Sequence, residues 1–304
     1  MSVNVVYAQA HCHSSFSINK LSGEGVFHRV IWPVERQFMR VIMKNPQGLL
    51  KLARKKGVKY IIVTDHNRAL DILGSEEFLI SGEEWGQKKG HSNFIGIDES
   101  VDPECGYFKG IEPVKPRDFK SAVTVAKGQG AFVSINHPFK KDRWTWGEES
   151  YELADAIEIW NGKWCEENQK ALDLWQNLLS RGFKIWCLAG SDFHVNHLFS
   201  IDSQVLAFID TDSRQSLLAK LKNGNFSIAR DTKCPVIFLS DKTTYRIENF
   251  RESLTMKVIS GDHNEIINNP AKHGTLKNKE QQIFVRVELW EGEEPLSFSN
   301  PIFF

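Results

Sequence analysis

Two histidines one residue apart, His11 and His13, close the β-rich run Val3-Asn4-Val5-Val6-Tyr7-Ala8. On a strand, residues two apart point to the same side, so the pair presents two imidazoles together, which is half of a metal site. The same event then repeats along the chain. Apolar, strand-like runs end in Thr64-Asp65-His66-Asn67, Gly82-Glu83-Glu84, Asn136-His137-Pro138 and Gly190-Ser191-Asp192-Phe193-His194, and another begins at His91. His11, His13, His66, His91, His137 and His194 thus fall at strand boundaries together with Asp65, Glu84 and Asp192. Imidazoles and carboxylates without thiolates suit Zn, Mn or Fe. A carboxylate, here Glu84, can bridge two cations about 3.5 to 4 Å apart, which together lower the pKa of a bound water towards about 7. Cys12 lies between two candidate ligands but on the opposite strand face, which favours burial over ligation.

The elements that must position these groups alternate. Asn45 caps a helix with Pro46 in its first turn and Gly57 as its stop, and strands are expected over 58–63, 78–85, 91–97, 131–135, 156–160 and 183–189. Helices are expected from about Pro116 to Gln129, Glu166 to Ser180 and Ser213 to Asn223. Strands alternating with helices predict an α/β fold of parallel βα units, whose active sites lie where strands end. The stretch from Ser14 to about Lys44 is longer than a usual connection and is a candidate functional loop. From about Cys234 the pattern changes to strands and turns without long helices. That predicts two units, 1–232 and a small β-rich appendage over 233–304, the latter holding His263 and His273 but no clustered carboxylate.

The chain has 304 residues, with 38 acidic and 38 basic. That balance leaves no bulk field to draw it to a nucleic acid polymer or an anionic membrane, so any phosphate recognition is local. Five scattered cysteines without a Cys-x-x-Cys pair argue for reduced thiols in a cytoplasm. Neither a leader pattern nor an uninterrupted apolar span is expected.

At these motifs the chain resembles the PHP family, named for polymerase and histidinol phosphatase, over roughly residues 1 to 230. The resemblance implies a distorted (βα)7 barrel of TIM-like type holding two or three divalent metal ions. One would take His11, His13, Glu84 and Asp192; a second would share Glu84 and add His91 and His137; a third would use His66 and His194. Three-metal members often carry a further histidine after the first motif, where this chain has Asn19. A narrower resemblance to the CehA/McbA branch rests on Ala154-Asp155-Ala156-Ile157-Glu158-Ile159-Trp160-Asn161-Gly162, the Trp175 helix and the ending Ser299-Asn300-Pro301-Ile302.

The expected activity is a metal-dependent phosphoesterase acting on a small phosphorylated metabolite or nucleotide. A metal-bridging hydroxide would attack phosphorus, with Asp65, His66 or His194 handling protons. Candidate substrate contacts are Arg68, Lys140, Lys141, Arg143 and Asn161, against the plainer roles of solvated loop charges and a turn cap. Trp32, Trp85, Trp144, Trp146, Trp160 and Trp164 either wall a pocket for an aromatic leaving group or pack in the core. Two other functions fit the same residues: a carbamate or carboxyl ester hydrolase, and a non-catalytic binding module braced by metal. His28, His197, His263 and His273 read as ordinary histidines.

Overall fold

The computed structural model describes residues 3–17, 43–70, 77–105, 108–109, 112–140, 143–195, 200–241, 243–261, 263–276 and 282–304. Most of the early connection, with Asn19, His28 and Trp32, lies outside them, as do Lys141 and His197.

A large mixed sheet carries the site. Its first part runs β1 (Val5–Cys12), β2 (Val58–His66), β3 (Leu79–Gln87) and β4 (Gly90–Ile95). The small pair β5 (Phe108–Lys109) and β6 (Glu112–Pro113) stands apart, and the large sheet continues through β7 (Phe132–Ile135), β8 (Ala156–Asn161) and β9 (Trp186–Gly190). Four α-helices pack among the described residues: α1 (Pro46–Arg54), α2 (Phe119–Gly128), α3 (Glu166–Ser180) and α4 (Arg214–Lys222). Local chemistry explains where they start. Asn45, Asp118 and Ser213 each accept a hydrogen bond from a backbone N–H three residues on, which satisfies a donor the first turn leaves unpaired.

The expected βα alternation is interrupted. β1–β2, β2–β3, β7–β8 and β8–β9 are parallel, but β3–β4 and β4–β7 are antiparallel. The reason is connection length: Gln87 and Gly90 bound a two-residue turn, whereas a parallel crossover needs a dozen residues or more. Gly86 sits there at φ 118°, and a Cβ on it would lie 2.4 Å from the Gly90 carbonyl oxygen. The sheet curls so that its β9 end returns to β1. An isolated parallel bridge joins Cys12 to Phe193, with the His13 N–H donating to the Phe193 carbonyl at 2.7 Å.

On the other flank of β1 stand β10 (Ser203–Ile209) and β11 (Ser227–Asp231), both antiparallel to their neighbours. The later strands are β12 (Val236–Leu239), β13 (Thr244–Glu248), β14 (Thr255–Ser260), β15 (His263–Asn268), β16 (His273–Thr275), β17 (Phe284–Glu291), β18 (Glu294–Ser299) and β19 (Ile302–Phe303). β18 pairs with β11, so this tail extends the large sheet, while β12, β13 and β16 form a sheet of their own. Apolar side chains of β1 to β4, β7 to β9 and α2 to α4 make one core that also takes in Phe284, Trp290 and Phe298 of the tail. Cys12 is buried on the outer face of β1 with Leu49, Ala53 and Val63. No helix among the described residues is long and apolar enough to cross a membrane.

Two polar clamps fasten the tail. The Asn300 amide accepts from the Cys187 N–H at 2.7 Å and donates to the Phe226 carbonyl at 3.1 Å, which places the Ser299-Asn300-Pro301 motif against β9 and β11. Arg286, 2% exposed, donates to Glu288 at 2.6 Å and to Gln176 of α3 at 2.9 Å, with its guanidinium 4.7 Å from the Trp175 ring centre. Removing one partner of such a buried pair strands the other charge, so Arg286→Ala is expected to cost about 3–5 kcal/mol in denaturant-unfolding free energy. A loss below about 1 kcal/mol, the range of exposed ion pairs, would contradict that reading.

Candidate metal centre

Strand ends deliver the chemistry to one place. β1 brings His11, with His13 just past its end and their ring centres 5.3 Å apart, β2 brings His66, β3 brings Glu84 and β4 brings His91. The turns after β7 and β9 bring His137, Asp192 and His194. His137 and Asp192 adopt φ values of 25° and 52°. Residues other than glycine rarely hold such a backbone, and they keep it where the surroundings over-determine it.

The ligand-type atoms fall into four overlapping groups, each within 4.8 Å: His11, His13, Glu84 and Asp192; Glu84, His91 and His137; His13, His66 and His194; and His11, His137 and Glu158. Glu84 is the hub. Its Oε1 lies 3.3 Å from His11 Nε2, 3.2 Å from His91 Nδ1 and 3.1 Å from His137 Nε2. Its Oε2 lies 3.3 Å from His13 Nε2 and 3.0 Å from His66 Nδ1. Asp192 Oδ1 stands 3.6 Å from His11 Nε2 and 3.2 Å from His13 Nε2.

These spacings fit a shared divalent cation. Ligands about 2.1 Å from one centre lie about 3.0 Å apart in octahedral and about 3.4 Å apart in tetrahedral geometry. His11 Nε2 and His13 Nε2 are fully buried and lack a hydrogen-bond partner, which a native interior rarely tolerates unless something else satisfies them. Their other nitrogens are already engaged: His11 Nδ1 with Glu158 at 2.9 Å and His13 Nδ1 with Ser17 at 3.0 Å. His194 Nδ1 likewise sits 2.8 Å from the Asp192 carbonyl oxygen. An imidazole held this way aims its free nitrogen at a cation.

No family model matches the chain. An uncharacterized protein of Methanocaldococcus jannaschii is 23% identical over 162 residues, 51% of this chain and 81% of that protein. Among solved structures, the fold is similar to a two-domain protein of Bacteroides vulgatus described as containing a predicted PHP-like metal-dependent phosphoesterase. That similarity has 17% identity and a TM-score of 0.47, over 99% of this chain and 96% of the other. It is also similar to a lesion-specific endonuclease of Pyrococcus furiosus, with 14% identity and a TM-score of 0.45, over 74% of this chain and 58% of the other.

Electrostatics divide the histidines into two kinds. Burial opposes charge on His11, but the Glu158, Glu84 and Asp192 carboxylates outweigh it and hold its pKa well above the ordinary value. His13 is raised to about 9, again against burial, by Asp192 and Glu84. Burial pushes His66 down, and with His13 beside it His194 falls to about 3. Burial would raise Glu84 and Asp192, yet the facing histidines keep both well below the usual carboxylate range. Without a cation, then, His11 and His13 hold protons that balance the two carboxylates. A cation must displace those protons, so its apparent affinity should rise with pH, the His13 proton being lost at about 9. Uptake at pH 7 should release about two protons. Calorimetric titrations in buffers of different ionisation enthalpy measure this, and buffer-independent heats would refute it.

Not every expected residue joins the site. Asp65, expected as ligand and proton carrier, faces away from the ligand groups because it adjoins His66 on a strand. It instead accepts from the Ser14 N–H at 2.6 Å and the Ser14 hydroxyl at 2.5 Å, and burial raises it to about 6. Arg68 is half-buried with its guanidinium 5.0 Å from the Phe16 ring centre, whereas Arg143 is exposed. Lys140 donates to the Asn161 Oδ1 rather than standing free. Trp85 and Trp160 are buried in the core, and Trp144 packs on Phe119.

Three supporting residues escaped the sequence reading. Asn136 donates to Glu84 Oε1 at 3.1 Å, Ser17 bonds both His13 Nδ1 and the His66 N–H, and Glu158 bonds His11. Glu158 carried a signal: a single carboxylate in the apolar run Ala156-Ile157-Glu158-Ile159-Trp160 must be paired if that strand is buried.

Proposed function

We propose that the chain is a metal-dependent hydrolase of the PHP type, with a distorted barrel over 1–232 as the catalytic unit and a β-rich appendage over 233–304. The observation that carries this reading is that two ligand groups share the single buried carboxylate of Glu84, while a third joins them through His13 and sets His66 3.0 Å from the same carboxylate. Two or three divalent cations held there would supply hydroxide at neutral pH and neutralise charge developing on the substrate. The best-supported substrate class is a phosphate ester of a small molecule.

The chain's own groups divide the work. Glu84 and Asp192 hold charge opposite the histidines and set the spacing of the site. His66 and His194, kept neutral by burial, lie at its more accessible side, with side chains 16% and 21% exposed, where either can accept a proton. All five cysteines are free, which fits a reducing cytoplasm.

The test is a panel of nitrophenyl phosphates, phosphodiesters, acetates and carbamates, run with Zn, Mn or Fe and again after chelation. Cation-dependent turnover of phosphate esters is the expected result. Turnover confined to carbon esters overturns the substrate class, and a fully loaded protein inert across the panel overturns the hydrolase.

A further inference from the structure

Glu158 is 1% exposed, and three donors hold its carboxylate. Oε1 lies 2.9 Å from His11 Nδ1. Oε2 accepts from the His137 backbone N–H at 3.0 Å and from Asn161 Nδ2 at 2.9 Å. His11 belongs to one cation group and His137 to another, so this carboxylate grips a ligand-type residue of each from outside.

Valence decides its role. His11, His137 and Glu158 also have ligand-type atoms within 4.8 Å of one another, but Glu158 meets His11 at Nδ1, 2.9 Å away, and holds His137 through its backbone N–H at 3.0 Å. A neutral imidazole that meets a cation through Nε2 carries its proton on Nδ1, which needs an acceptor, and Glu158 is that acceptor.

A bulge in β8 makes the arrangement possible. Residues 158 and 161 differ by an odd number and would point to opposite faces of a regular strand. The register shift between Glu158 and Trp160 adds a residue and turns the Asn161 side chain to the same face. Lys140 donates to the Asn161 Oδ1, so a basic residue of the following loop joins the network.

We propose that Glu158 is a positioning residue that couples the two cation positions, holding His11 by its ring and the left-handed His137 by its backbone. The inference rests on the metallohydrolase reading. Its consequence is that loss of Glu158 weakens both positions together, although it coordinates neither cation.

Stepwise Zn²⁺ titration of the full chain against a competing chelator reads the two affinities separately. Co²⁺ absorption reports coordination geometry, and melting in excess chelator reports the cation-free fold. Glu158→Gln keeps the shape but weakens the acceptor. It should lower both affinities by about 10- to 100-fold, the usual effect of losing an outer partner of a ligand, and alter the Co²⁺ spectrum. Glu158→Asp, which keeps the charge, should recover part of the loss. Unchanged affinities, or a loss confined to one position, overturn the coupling. So does a loss explained by a matching fall in cation-free melting temperature, which would mark a merely structural role. Should Glu158→Gln not fold, Asn161→Ala removes one of the three donors and should weaken both positions in the same sense; unchanged affinities there overturn the proposal equally. A wild-type chain that takes up no divalent cation refutes the metallohydrolase itself, a result distinct from all of these.

Discussion

Glu84→Gln should reduce kcat/KM by about a thousandfold or more, because shared divalent cations supply several kcal/mol of charge stabilisation and each 1.36 kcal/mol is a factor of ten. The substitution is nearly isosteric, so the effect is chemical. A carboxylate offers two oxygens to different partners, whereas an amide offers one oxygen and an NH₂ group that cannot coordinate. Glu84 uses both oxygens, Oε1 towards His11, His91 and His137 and Oε2 towards His13 and His66. Losing either side therefore opens more than one group. Elemental analysis after gel filtration should show fewer cations per chain, in step with the activity. A variant with wild-type cation content and activity within tenfold of wild type would remove Glu84 from the centre of the site.

Gly190→Ala is expected to damage the same centre without replacing any residue of the ligand groups. β9 ends at Gly190, pressed against β1 where His11 leaves the sheet, and a Cβ at 190 would lie 2.3 Å from the His11 Cβ and 2.7 Å from Glu158 Oε1. The first distance cannot be relieved by rotating a flexible side-chain end, so β1 and β9 must separate. Overpacking of this kind costs about 1–3 kcal/mol. The displacement falls on His11 and on its partner Glu158, so cation affinity should fall by about 10- to 100-fold as well, as when a ligand loses its outer support. Thermal melting with and without added Zn²⁺ separates the two effects. An alanine variant with wild-type melting temperature and wild-type cation affinity would show that the close approach of β1 and β9 does not shape the site.

Much of the site was legible because metal ligands are rare residues in apolar surroundings. His11, His13, His66, Glu84, His91, His137, Asp192 and His194 stood out as imidazoles and carboxylates at the ends of apolar runs, and the fold brings them into three contiguous groups. The first helix was readable for a similar reason: Asn45 satisfies a backbone donor three residues on, a short-range interaction that needs no tertiary partner, whereas the helix expected from about Pro116 starts at Phe119, after its cap Asp118. Strand pairing was less visible. That β4 lies antiparallel between β3 and β7 depends on which edges meet in space, and only the two-residue turn after Gln87 hinted at it.

The sequence by itself singled out most of the imidazoles and carboxylates that meet in space and roughly where elements begin, because residue type and local spacing are written along the chain. Only the tertiary structure decided what those residues do to one another. It turned Asp65 to Ser14, used a bulge in β8 to bring Glu158 and Asn161 to one side, and seated the tail's Asn300 and Arg286 against β9 and α3. Side-chain direction depends on strand parity and on register with a distant partner, and a single inserted residue reverses it.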